Sequence, residues 1–168
     1  GATQVPNLPA TELSGLTTTQ LDGMTSSQFG QLTSTQFLNL TSTSLGSLTT
    51  TQVQGFSTAS VAAMTTTQLS GMGSDQVGAL TPSQFTNFTS TNLGALTTTQ
   101  EGGLTATQVA ALTSTQASGF TTTELGALTA TQLGALKADR RRVGGRREFL
   151  HAVQDAGDRV DRAVGDLE

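Results

Sequence analysis

The chain has one histidine, His151, and no cysteine. Neither a Cys–His nucleophile pair nor a cluster of imidazole and thiolate metal ligands can be assembled from that. Over residues 1–136 the carboxylates are only Glu12, Asp22, Asp75, Glu101 and Glu124, with no close pair to divide acid and base roles. No glycine-rich phosphate cradle occurs. The residues that do recur at fixed spacing are Thr or Ser followed three places later by Gln or Glu, and their chemistry is hydrogen bonding. The expectation is a protein that is not an enzyme, with no catalytic, cofactor-binding or metal-binding residue and no cofactor.

That spacing belongs to a longer pattern. From Leu8 the chain repeats one eight-residue unit sixteen times without insertion or deletion, as in LTTTQLDG, MTSSQFGQ and LTATQLGA, and the pattern ends near Leu136. Position 1 is always apolar, and position 6 is apolar in all but one unit. Position 2 is Thr or Ser in 14 of the 16 units and position 5 is Gln or Glu in 13. Thr-x-x-Gln is a capping box, in which the hydroxyl accepts from the backbone N–H three residues on and the Gln reaches back to the cap. The apolar pair then stands where a hydrophobic staple places it, just before the cap and at the fourth helical residue. Pro82 sits at the first helical position, where proline is tolerated.

Each octad therefore reads as a helix of one to two turns, which persists only by stacking on others. One continuous helix is excluded, because eight residues at about 100° each advance the apolar stripe by about 80° per unit. The expected fold is an all-α, two-sided solenoid of very short helices closed by a C-terminal capping helix. A two-sided β-solenoid is the alternative, since Thr and Val favour strands.

Alternate octads differ, which predicts a 16-residue coil of two unlike sides. In one kind the caps are Thr17, Thr33, Thr49, Thr65, Thr81, Thr97, Thr113 and Thr129. Position 5 of that kind is always glutamine: Gln20, Gln36, Gln52, Gln68, Gln84, Gln100, Gln116 and Gln132. Its last position reads Gly23, Asn39, Gly55, Gly71, Asn87, Gly103 and Gly119, then Ala135. Gly and Asn accept the left-handed conformation that ends many helices, so these octads are expected to turn sharply. The Gln column either forms a ladder between coils or simply completes each capping box. Glu101 and Ala117 replace the apolar residue at position 6 in two successive octads of this kind, which as stacked neighbours would make a soft spot in the core.

Charge divides the chain. All eight Lys and Arg residues lie between Lys137 and Arg162, so residues 1–136 carry a net charge of −5 and no cation. Nucleic-acid binding by the repeats is excluded on that ground. No apolar run reaches membrane-spanning length. The expected organisation is an octad solenoid over 1–136, an Arg/Gly-rich hinge over 137–147 and an amphipathic helix over 148–168. Phe149, Val153, Ala156, Val160 and Leu167 mark the apolar stripe of that helix, which caps the last coil or mediates self-association.

Octads such as LTATQVAA and LTATQLGA resemble the LTxxQ(V/I/L)xAL tandem repeats of long proteobacterial proteins, many of them apparently secreted or surface-associated. The resemblance covers residues 1–136 and implies an extracellular or cell-surface setting, but no activity. A local similarity to the helix start of TAL-effector repeats stops there, because the base-reading residues of that family are missing. The expected function is a rigid spacer or scaffold within a larger bacterial protein. One alternative is a surface-binding protein whose Thr arrays match a lattice such as ice or serve as an adhesin. The other is a protein-binding solenoid.

Overall fold

A computed structural model of the chain describes residues 8–117 and 120–139. Within them are sixteen short helices. They are α1 (Ala10–Leu13), α2 (Thr18–Asp22), α3 (Ser26–Gly30), α4 (Ser34–Phe37), α5 (Ser42–Gly46), α6 (Thr50–Gln54), α7 (Thr58–Ala63) and α8 (Thr66–Ser70), followed by α9 (Ser74–Ala79), α10 (Pro82–Phe85), α11 (Ser90–Leu93), α12 (Thr98–Gly102), α13 (Ala106–Ala110), α14 (Ser114–Ala117), α15 (Thr122–Ala127) and α16 (Ala130–Asp139). No strand occurs among the described residues, so the helical solenoid is the fold and the β alternative falls away.

Each helix starts where a cap residue is held extended, as at Thr65 with φ −81° and ψ 158°. At the other end the residue at position 1 of the next octad is again extended, with Met64 at φ −56° and ψ 130° and Leu80 at φ −56° and ψ 132°. Two extended residues in succession redirect the chain, and that makes the corner. The position-1 N–H closes the turn by donating to the position-6 carbonyl, as Met72 does to Leu69 at 3.0 Å.

The coil is larger than the two-sided one expected. Helices pack against the third one along: α3 on α6, α6 on α9, α9 on α12 and α12 on α15 form one column, and α5, α8, α11 and α14 another. The third column runs through α1, α4, α7, α10, α13 and α16. Since α3 begins at Ser26 and α6 at Thr50, one coil takes 24 residues and has three sides. The physical reason is the corner: each octad turns the chain by the same two-residue device, and three such corners bring it back over itself. Five intervals separate α1 from α16 in their column, so at about 8 to 10 Å per helix layer the rod is roughly 40 to 50 Å between them.

Positions 1 and 6 fill the interior. Phe29, Leu32, Phe37, Leu40 and Leu45 begin a continuous core that ends with Leu128, Leu133 and Leu136. Phe56 packs edge-to-face on Phe29 and Phe37, with ring centroids 5.8 and 5.0 Å apart. Leu8, Leu16 and Met24, at position 1 of the first coil, are only partly buried. Helix α16 continues past Leu136 as far as Asp139, so the first residues of the expected hinge are helical. The rest of that hinge and the amphipathic helix over 148–168, with its proposed cap or self-association role, lie outside the described residues.

Glycine at position 8 has a different purpose from the one expected. Gly23, Gly55, Gly71 and Gly103 do follow their helices, but with φ between −74° and −80° they are right-handed. Their small size is needed instead where helices stack. A Cβ on Gly71 would stand 2.2 Å from the carbonyl oxygen of Ser42, one coil earlier, and a Cβ on Gly46 would stand 2.5 Å from the carbonyl oxygen of Gly71. Gly55 meets Ser26 and Gly30 in the same way, and Gly103 meets Ser74 and Gly78. Asn39 and Asn87 each donate from the side-chain amide to a carbonyl four residues back, at 2.8 and 2.7 Å. Gly119 lies outside the described residues.

Three helices per coil combined with two alternating kinds of octad has a geometric result. Because three is odd, every helix rests on a helix of the other kind. The two kinds therefore alternate up each column and do not divide the rod into two unlike sides. Tight contacts, such as α5 with α8, alternate with contacts where the lower helix offers a larger residue, such as Leu38 or Gln54.

Candidate functional site

The side chain that recurs in every layer is the glutamine at position 5, and its hydrogen bonds show what it does. At Gln100 the Oε1 accepts from the Thr97 N–H at 2.9 Å and from the Thr97 hydroxyl at 3.2 Å. The Gln100 N–H in turn donates to Thr97 Oγ1 at 3.3 Å. Its Nε2 donates to the carbonyls of Leu69 and Met72, both at 2.8 Å and 31 and 28 residues earlier. The amide thus caps its own helix and ties that helix to a corner of the coil below, with its donors and acceptor all engaged.

The same bonds recur along the rod. Gln52 donates to Leu21 and Met24, Gln68 to Phe37 and Leu40, Gln84 to Val53, Gln54 and Phe56, Gln116 to Phe88, and Gln132 to Glu101 and Leu104. Gln36 reaches the Leu8 carbonyl at 2.8 Å. Octads of the other kind take part too, through Gln76 and Gln108. Asn92, one methylene shorter, reaches a single carbonyl at Met64. Gln20, in the first coil, is exposed and bonded only to its cap Thr17. Capping box and ladder are therefore one device.

The caps Thr17, Thr33, Thr49, Thr65, Thr81 and Thr97 all accept from the position-5 N–H. Thr113 and Thr129 accept from Gln116 and Gln132 in the same way. The Gln side chains do not stack on one another, because residues 16 apart lie on different columns.

The 24-residue coil also sorts the hydroxyl residues at positions 2 to 4. The column of α5, α8, α11 and α14 carries only Thr and Ser there: Thr41, Ser42, Thr43; Thr65, Thr66, Thr67; Thr89, Ser90, Thr91; and Thr113, Ser114, Thr115. Thr43, Thr67 and Thr91 are exposed. Asp75 and Pro82 belong to α9 and α10, on the other two columns. A period of 16 had hidden this segregation.

One ionisable group lies inside. Glu101 is fully buried, 0% exposed, and neither carboxylate oxygen has a hydrogen-bond partner. Burial, with a smaller push from the Glu124 carboxylate, raises its pKa from the ordinary 4.5 to about 7. Its expected stacking on Ala117 is not found: α12 packs on α9 and α15, whereas α14 packs on α11. Among the described residues no group of three or more His, Cys, Asp or Glu side chains could hold a metal ion. No described helix is long and apolar enough to cross a membrane.

A family model described as the ALTTAQ repeat matches residues 58–90, so the chain carries short tandem repeats similar to that family's. No curated protein and no solved structure matches the chain.

Proposed function

We propose that this chain is a structural repeat module, a stiff rod that acts as a spacer or scaffold in a longer bacterial protein of LTxxQ type, outside the cell or on its surface. The observation that carries this reading is the ladder: each layer is tied to the one below by side-chain amides that bond two carbonyls apiece, as at Gln68 and Gln100. Such a tie resists both sliding and bending, because any shift between layers breaks charge-free but buried hydrogen bonds. A non-catalytic role agrees with interior positions that are nearly all apolar or engaged in the ladder.

Small-angle X-ray scattering on the full chain tests it. The expected result is an elongated particle whose long dimension stays constant between low and high salt, since no ion pair holds the layers together. A compact or salt-dependent particle would count against a rod.

The unbroken hydroxyl column supports a second reading, attachment to an ordered surface such as ice. Thr43, Thr67 and Thr91 recur at one coil spacing on a face without charge in those octad positions. Growth of shaped ice crystals that reverts to ordinary discs in a Thr43→Lys, Thr67→Lys variant is the expected result. Disc growth with the unaltered chain at high concentration would end this reading.

A further inference from the structure

Three departures from the repeat meet where α15 lies on α12. The first is Glu101, whose carboxyl occupies a core position with both oxygens unbonded. The second is Glu124, which stands where neighbouring layers place a glutamine. Its Oε2 accepts from the Thr121 N–H, but a carboxylate has no hydrogen to donate to the carbonyls 28 and 31 residues back, at Leu96 and Leu93. The third is Gly102. At the corresponding place in the equivalent contacts the lower helix presents Leu38, Gln54, Ser70 or Thr86, whereas a Cβ on Gly102 would meet nothing within 4 Å. This seam has thus lost a ladder rung and a packing side chain, and it covers an unpaired acid.

We propose that the α12–α15 contact is a proton-controlled seam, closed around a neutral Glu101 carboxyl and released when that carboxyl ionises. An ionised carboxylate with no hydrogen bond and no cation is intolerable in an apolar layer. The nearest relief is to part the layer that already lacks its rung. The elements against α12 offer no counter-charge: α9 carries only Asp75, which is exposed, and α15 carries only Glu124, which repels.

The sign follows from linkage. A group that holds its proton more tightly when folded contributes a penalty to the folded state that is absent below pH 4.5 and complete above pH 7. The rod is therefore continuous in mild acid and jointed at neutral pH and above.

Hydrogen exchange along the full chain at pH 5 and pH 8, corrected for intrinsic rates, tests the seam. Protection of Leu104 and Leu125, relative to Leu45 and Leu69, is expected to fall by roughly a hundredfold between the two pH values. Glu101→Gln and Glu101→Leu should both lose this pH dependence, and Glu101→Leu should be the better protected at pH 8. Equal protection at both pH values overturns the proposal. An unchanged pH slope in Glu101→Gln also overturns it, and assigns the effect to Glu124 instead.

Discussion

Gly71→Ala is expected to destabilise the rod by about 3 kcal/mol, whereas the same substitution at Gly102 stabilises it by about 0.5 to 1 kcal/mol. The added methyl is identical, and so is its effect on backbone entropy in the unfolded chain. What differs is the space. At residue 71 a Cβ would stand 2.2 Å from the Ser42 carbonyl oxygen and 2.7 Å from the Ser42 Cβ, on a helix that cannot retreat without lifting α8 off α5. At residue 102 it meets nothing. Urea unfolding of the two variants beside the unaltered chain checks this, and equal shifts in midpoint would show that the stacked helices lie further apart than described.

Gln108→Leu is expected to cost about 3 kcal/mol, although it places a larger apolar surface in a fully buried position. The amide is nearly isosteric with leucine, so packing changes little. Its loss leaves the Thr105 N–H and the carbonyls of Val77 and Leu80 without the bonds of 2.8, 2.9 and 2.8 Å that they have now. The comparison is Gln20→Leu, in the first coil, where only the capping bonds are lost and about 1 kcal/mol is expected. Thermal unfolding of both variants reads the difference. A loss at residue 108 no larger than at residue 20 would mean that the amide caps but does not tie.

The local level of this fold was legible because its signals are local. Thr65 and Gln68 lie three residues apart, and the box they form needs nothing from elsewhere in the chain. Met64 and Leu69 likewise announce a staple by spacing alone. The coil was not legible in the same way. Its size depends on the angle between one helix and the next, set by two extended residues at each corner, and no side chain encodes that angle visibly.

The alternation at position 8 was visible but suggested the wrong geometry. Gly71 and Gly55 seemed to ask for left-handed turns, when their neighbours 29 residues away were what excluded a side chain. The second half of the glutamine's work, two carbonyls in another coil, was hidden for the same reason. Glu101 showed itself at once as a departure from the apolar pattern, yet its missing partners became evident only when α9 and α15 were placed on either side of it.

The mismatch between a two-octad alternation and a three-octad coil limits how such a rod can change in length. Gaining or losing a single octad, or one whole coil of three, would set like on like at the join, with a Gly71-type edge over a Gln54-type side chain. Gaining or losing two octads keeps every helix on its proper neighbour. The rod can therefore lengthen only in steps of two-thirds of a turn, and each step swings whatever is attached beyond it from one face of the prism to another.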